Sequence, residues 1–588
     1  MYNLRIHFWI FIILLTLLMA AVLELNHNTF PGWLLLAAAL GSFIWLYASR
    51  LCRAAWPLRC LGWIGLAGIF CLIVLLTWPP VKAVPAVSAE KPVRTDTIQT
   101  KDGPVAGVRN ASGTVEVFAG IPYARPPVGE LRWQKPQDPE PWTEVRICDT
   151  FAPMSMQSVH LPIYDSLAQI IGYHDYTVSL KDNWRPPVSE DSLYLNVWKP
   201  AGVQQDLPVL VFIHGGSLQT GQPWYGDYNG ESFAESGVIT VNMGYRLGVF
   251  GFYTDPQLLE EDGTSGNYGL LDQIKALEWV RDNIRAFGGD PDNVTIAGES
   301  AGSVCVDALC VSPLASGLFR RAILESSTLS SVKPPHSYRS LEEALASGAE
   351  LREKYHCADA SELRALPAEK IVGEMNTQHH LTPDGYVLPA DPYVLRSEGI
   401  HNEEAILHGY NSEESAPFIL FDHAKLTDYE DRVRNYFGEY ADEVLALYPA
   451  STDEEADRQW AAIYGAIFFN YPHYCLNRLA AARQIPVWEY YFSKQNGRLG
   501  SWHSGEMIYA FGNIPEKSRL FTDSDRELSR IMHTAWTNFA TRGDPNSTDI
   551  PAIPANPTSE KLMQFGETIG EIDEPSLPLY DILDRMQR

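Results

Sequence analysis

Cysteine is scarce. The 588 residues hold eight, and Cys52, Cys60 and Cys71 lie in or beside apolar runs, which leaves Cys148, Cys305, Cys310, Cys357 and Cys475 for the rest of the chain. Five thiols cannot all pair with one another, and none of their spacings resembles a metal site. Basic residues are also in deficit, 45 Lys+Arg against 72 Asp+Glu for a formal net charge of −27. That balance keeps a domain soluble and disfavours nucleic acid as a partner. The larger part of the chain has no internal repeat and no long low-complexity stretch, which excludes solenoid and fibrous classes. Charge itself is missing from the start: residues 1–94 hold 7 of the Lys+Arg and only 2 of the Asp+Glu, leaving the remainder at a formal −32.

What fills that uncharged start is hydrocarbon. Residues 8–23, 32–48 and 61–78 are three apolar runs, each close to the roughly 20 residues that cross a bilayer. A cleaved signal peptide followed by a buried hairpin is the alternative, but no small-x-small cleavage site follows the first run. Arg5 precedes the first run, Glu24 is the only charge in the first loop, and Arg50, Arg53 and Arg59 crowd the second. Positive charge stays in the cytoplasm, so everything after the third run is expected outside. A membrane module over 1–80 is therefore expected. It is followed by a proline-rich extended linker over 81–94 and a globular domain over 95–588, large enough for one substantial core. The runs carry no buried charge that points to transport, so anchorage is the expected role.

The chemistry begins at TIAGESAGS, residues 295–303, where a serine stands between two glycines after a β-branched run. A strand over Val294–Ala297, an abrupt turn and a helix from about Ala301 is the setting of a nucleophile elbow, in which Gly298 and Gly302 let strand and helix approach. An ordinary serine in a tight turn is the competing reading of the motif alone. A serine hydroxyl needs a base, and the oxyanion it forms needs donors already in place. Upstream, PVLVFIHGGS (208–217) breaks an apolar strand into His214-Gly215-Gly216, whose backbone N–H groups suit such an anion, although a plain glycine turn has the same letters. Downstream, GYNSEESAPF (409–418) supplies acids and WHSGEMIYAFGN (502–513) a histidine.

Several further stretches occur in order: FAGIPYARPPVGELRW (118–133), EDSLYLNVWKP (190–200), GYRLGVFGF (244–252), the run from Gly266 to Gly302, DGYVLP (384–389) and WTNFATRGDPN (536–546). Together with the elbow they make residues 95–585 resemble the type-B carboxylesterases, the family that includes bacterial esterases and the cholinesterases. The resemblance implies an α/β-hydrolase fold, with a large central mixed sheet flanked by helices, here preceded by three transmembrane helices.

It also implies roles. Ser300 matches the nucleophile, His503 the general base and Glu414 the acid that holds the imidazole. Gly215, Gly216 and Ala301 match the oxyanion donors, and Ser326 resembles a serine that supports the triad's hydrogen bonds. Glu299 flanks the nucleophile, either tuning the pocket's charge or serving as a buried structural carboxylate. Glu413 is the neighbour expected to point elsewhere. His214 is expected to be structural, and His379 and His380 to lie in surface loops.

Two departures stand out. Many relatives join cysteines at positions where this chain has Ser155 and Ser192, so the intervening loop, with Tyr164, Tyr173, Tyr176 and Trp184, is expected to be held by packing. Trp184 is read as a wall aromatic, with cation–π recognition as the alternative. Relatives often have glutamine where this chain has Glu325, which adds a carboxylate near the floor of the site.

The expectation is a serine esterase working through an acyl-enzyme, needing no metal or organic cofactor and acting on a small-molecule or lipid-like ester. Its membrane is expected to be a bacterial inner membrane, with the catalytic domain on the periplasmic side. A silent cholinesterase-like binding protein is one alternative, and a lipase or thioesterase with the same triad is another. Nothing in the sequence sets the oligomeric state.

Overall fold

The computed structural model describes residues 2–88, 91–158, 185–202, 205–332, 334, 336–373, 380–495, 500–516, 521–555 and 560–587. They divide into two compact units, one carrying Met1–Ala83 and the other comprising Val84–Ser158 and Val188–Arg588.

The first unit is helical: α1 (Tyr2–Leu25), α2 (Phe30–Ser49) and α3 (Trp56–Leu76). Among the described residues these three are long and apolar enough to cross a membrane. Pro31 and Pro57 stand in the first turns of α2 and α3, where a missing N–H costs nothing, so both helices begin ahead of the apolar runs read from sequence. A seam of Leu23, Leu36, Leu40, Phe43, Leu66 and Ile73 is buried, whereas Leu14, Leu17, Leu61 and Leu75 are more than half exposed. One end of the unit is tied by polar groups that satisfy each other. Asn28 Nδ2 donates to Val74 O (2.8 Å) and Thr77 Oγ1 (2.9 Å), Asn26 Nδ2 donates to Asn28 Oδ1 (2.7 Å), and Thr29 N donates to Thr77 O (2.9 Å). Aromatic rings fill the other end, with Phe8 stacked on Tyr47 at 4.3 Å and Phe43 against Trp63 at 4.6 Å.

The second unit is organised by an eleven-stranded sheet. Its strands are β1 (Val108–Arg109), β2 (Val115–Pro122), β3 (Tyr194–Pro200), β4 (Leu207–Ile213), β5 (Ile239–Met243), β6 (Gly289–Glu299), β7 (Arg321–Glu325), β8 (Ala405–Asn411), β9 (Val487–Phe492), β10 (Lys561–Phe565) and β11 (Ile569–Asp573). In space they run β11-β10-β9-β8-β7-β6-β4-β5-β3-β2-β1. Pairing is parallel from β5 to β10 and antiparallel at both margins. Alternate residues of β4 enter different cores, Val209, Val211 and Ile213 on one face and Leu210 and Phe212 on the other, as a strand buried on both sides requires.

Helices cover both faces, among them α4 (Tyr268–Asn283), α5 (Ala301–Val311) and α6 (Asp523–Arg542). The start of α6 is set by a capping box between Thr522 and Asp525, and its end by Gly543 at φ 76°, the left-handed conformation that glycine adopts most easily. β6 runs further than the Val294–Ala297 read from sequence, because its polar first half pairs at Gly289 with β4 at Leu207.

β4 lies between β5 and β6, so the chain returns to the sheet on both sides of it. Such a switch point opens a crevice at the carboxyl ends of the strands. The segment expected as a tether is partly built into this unit. Val84–Pro85 pairs antiparallel with Thr150–Phe151, Ala86 N donates to Asp149 O (2.8 Å) and Arg109 N donates to Val93 O (2.8 Å). A stretch without periodicity still carries backbone donors and acceptors, and here they meet extended neighbours.

Candidate active site

Ser300 follows the last residue of β6 and precedes the first of α5, with φ 56° and ψ −126°. A side-chain-bearing residue in that region is strained, so the surroundings must hold it. Ser300 N donates to Glu325 O (2.9 Å) and Val304 N donates to Ser300 O (3.0 Å). The flanking glycines have no room for a side chain: a Cβ on Gly298 would stand 2.4 Å from the Gly302 carbonyl carbon, and one on Gly302 would stand 2.0 Å from Ile213 O. Strand, helix and β4 thus meet at a distance that only glycine allows.

At the carboxyl end of β4, the His214-Gly215-Gly216 turn presses on the same elbow. A Cβ on Gly215 would lie 3.0 Å from Ser300 Cβ and 2.8 Å from Glu299 Oε2, and Gly216 turns at φ 106°. Ala301 is the first residue of α5, so its N–H has no intrahelical partner. Two of the expected donors, Gly215 and Ala301, therefore stand beside the serine. His214 is structural here: its ring stacks on Tyr245 at 4.6 Å, Nδ1 meets Gly215 O at 2.9 Å, and burial pushes its pKa down to about 4, which keeps it neutral.

Glu414 and His503 are both buried. Glu414 Oε1 accepts from Asn411 N (2.7 Å), and Oε2 lies 2.6 Å from His503 Nδ1, a short contact that fixes the ring. Burial pushes the Glu414 carboxyl up to about 8, against the pull of the Asn411 N–H and the Ser326 hydroxyl. Phe469 and Phe418 flank the imidazole at 4.9 and 5.1 Å. Nε2 lies 3.3 Å from Glu299 Oε1 and has no hydrogen-bond partner among the described residues. Glu413 turns away, accepting from Ser501 N (2.9 Å) and Gln495 Nε2 (3.0 Å).

Behind these residues is a layer that the sequence reading largely missed. Ser326, at φ 61°, donates to Glu506 Oε1 (3.0 Å), and Asn411 Nδ2 donates to Glu506 Oε2 and to Trp502 O (2.8 Å). Glu325 Oε1 accepts from Trp536 Nε1 (2.9 Å), and Glu299 Oε1 accepts from Ser504 Oγ (2.5 Å). Glu299, Glu325, Glu414 and Glu506 are four buried carboxyls, and among the described residues no Lys or Arg pairs with any of them. Burial pushes Glu299 and Glu506 up to about 7 and Glu325 well above its ordinary value. Glu506 had a signal, since it stands three residues after His503 in the same motif. Asn411 and Ser504 had none beyond their nearness to assigned residues.

The two serines at the relatives' cysteine positions are buried and bonded apart from each other, Ser155 Oγ to Tyr245 O (2.6 Å) and Ser192 Oγ to Glu190 O (3.4 Å). All eight cysteines are free. Tyr164, Tyr173, Tyr176, Trp184 and His379 lie outside the described residues. Among those described, no group of three or more His, Cys, Asp or Glu is placed to hold a metal ion.

Comparison with known proteins decides the family. The carboxylesterase family model matches residues 94–575. The chain belongs to the carboxylesterase family. Fumonisin B1 esterase of Sphingopyxis macrogoltabida is 33% identical over 492 residues, covering 80% of this chain and 86% of that protein. Para-nitrobenzyl esterase of Bacillus subtilis is 32% identical over 500 residues, covering 82% and 96%. The crystal structure of a Geobacillus stearothermophilus carboxylesterase superposes with a TM-score of 0.70 at 31% identity, covering 83% of this chain and all of that one. This carboxylesterase is thus a carboxylic ester hydrolase built on the α/β-hydrolase fold.

Proposed function

We propose that the protein is a membrane-tethered, extracytoplasmic serine carboxylesterase whose triad is Ser300, His503 and Glu414. His503 Nε2 takes the Ser300 proton as Oγ attacks the ester carbonyl. The backbone N–H groups of Gly215, Gly216 and Ala301 receive the oxyanion, the protonated alcohol departs, and water activated by the same imidazole releases the acid. Glu414 holds the ring with Nε2 directed at the serine and stabilises the imidazolium. The open Nε2 suits this reading, because catalytic hydrogen bonds are often long before substrate binds.

The observation that carries the reading is the 2.6 Å Glu414–His503 contact in the same crevice as a serine held at positive φ between two glycines. Three apolar helices and the arginines at 50, 53 and 59 support the tether over 1–80, with the esterase over 95–588 on the far side of a bacterial inner membrane.

One experiment tests both parts. The full chain is expressed in a bacterium, and intact spheroplasts receive a membrane-impermeant p-nitrophenyl ester. Hydrolysis without lysis, reduced on the order of 10³-fold or more by Ser300→Ala, is expected. Hydrolysis only after lysis overturns the location, and a Ser300→Ala variant as active as the parent overturns the nucleophile.

A further inference from the structure

Ser504 is the residue after His503, and its backbone sits at φ 73°, where a residue with a side chain is strained and glycine is not. Nothing about the turn requires serine. What serine adds is its hydroxyl, which donates to Glu299 Oε1 at 2.5 Å, and that same oxygen lies 3.3 Å from His503 Nε2. The other side of Glu299 is closed by Gly215, where a Cβ would stand 2.8 Å from Oε2. The carboxyl is therefore wedged between the oxyanion turn and the catalytic imidazole, and one donor holds the oxygen that faces the ring.

Taking Ser300, His503 and Glu414 as the triad, we propose that Ser504 is a positioning residue: its hydroxyl holds Glu299 as a carboxylate beside His503 Nε2, where positive charge appears when the imidazole takes the Ser300 proton. An anion 3.3 Å from that nitrogen favours the imidazolium and so the transition state. The groups facing His503 are Glu414 at Nδ1, Glu299 at Nε2, Glu506 behind and His336 beyond. Those facing Glu299 are His503, Glu506, Glu414, its register partner Glu325 on β7, and Tyr228 and Tyr490. Apart from the imidazole, every one of these neighbours is acidic or phenolic and favours the neutral acid, as does burial. The Ser504 hydrogen bond opposes them. Without it, Glu299 protonates at a higher pH and the charge beside Nε2 is lost first on the acid side of the profile.

The test is the pH dependence of kcat/KM for p-nitrophenyl acetate with the full-length protein and the variants Ser504→Gly, Ser504→Ala, Glu299→Gln, the Ser504→Ala/Glu299→Gln double and Ser300→Ala. Both Ser504 variants are expected to lose roughly tenfold near neutral pH, the worth of one hydrogen bond to a charged group. The loss is expected in kcat with KM unchanged, shrinking as the pH rises toward 9. Ser504→Gly should melt no lower than the parent, because it relieves the left-handed strain, so its lost rate is not lost fold. Glu299→Gln, which mimics the protonated acid, should lose most above about pH 7, where the parent carries the charge, and little on the acid side, and adding Ser504→Ala should change nothing further. The proposal is overturned if both Ser504 variants keep the parental profile, lose by one factor at all pH values, or lose again on top of Glu299→Gln. An active Ser300→Ala overturns the triad reading instead, a separate outcome.

Discussion

The helical unit and the esterase unit place their apolar and ionisable groups in opposite ways. In the first, leucines such as Leu14 and Leu17 point outward, and the few buried polar groups, Asn26, Asn28 and Thr77, satisfy each other by hydrogen bonds without any charge. In the second, apolar side chains fill two cores on the faces of the sheet, while four carboxyls are buried together beside a histidine. The same rule, that a buried polar group must be paired, governs both. The helical unit meets it by excluding charge. The esterase unit meets it in part, with N–H and O–H donors from Asn411, Ser326, Ser504 and Trp536, and three of its buried carboxyls, Glu299, Glu414 and Glu506, gather around His503 in the proposed site.

The contrast is broken most severely at Glu414. On the proposed mechanism, Glu414→Gln keeps the shape but removes the charge that would steady the imidazolium, and the amide no longer fixes the ring's tautomer. A fall in kcat of about 10³-fold or more is expected with an unchanged circular dichroism spectrum. A fall below tenfold would mean that Glu414 is structural, like its neighbour Glu413. A smaller effect is expected from a charge placed on the outward face of the helical unit. Leu14→Arg, at the middle of α1, should disfavour insertion by about 3 kcal/mol and lower the membrane-integrated fraction of the full-length protein. An exposed surface position of a water-facing unit would show almost nothing, so an unchanged fraction would argue against a lipid-facing α1.

The esterase half was legible to the extent that its function rests on short strings. The elbow and the glycine turn each force a local backbone conformation, so the positive φ of Ser300 and Gly216 and the close approach of Gly215 to Ser300 stand where the motif letters placed a turn. Glu414 over Glu413 needed family register, and the structure shows the physical difference: one carboxyl accepts from Asn411 N and faces the imidazole, and the other accepts from Gln495 Nε2 and Ser501 N. The strand order was not legible, because β5 and β6 fall on opposite sides of β4 through packing choices far apart in sequence. The second layer was hidden for the same reason: Ser326 meets Glu506, and Asn411 meets Glu506, across separations of 180 and 95 residues. The pairing of backbone groups at 84–86 was not legible either, because it leaves no trace in side-chain periodicity.

The mildest test works through stability rather than rate, and its sign follows from proton counting. Glu506 is pushed up to about 7 by burial and by Glu414, while in the unfolded chain it returns to about 4.5. Between those values the folded state binds more protons than the unfolded state. The group's contribution is therefore fully present below about pH 4.5 and is lost as the pH rises through about 7. The parent esterase should lose stability across this window, by an amount on the order of 1–3 kcal/mol from this site. Glu506→Gln cannot ionise, so its melting temperature should fall less between pH 5 and pH 8. At pH 5 the variant should sit at or below the parent, because one of the two acceptors used by Ser326 and Asn411 becomes an amide NH₂. At pH 8 the gap should close or reverse. Parallel melting curves at all pH values would mean that Glu506 is already ionised in the folded protein and that the cluster's protons sit elsewhere, on Glu325 first.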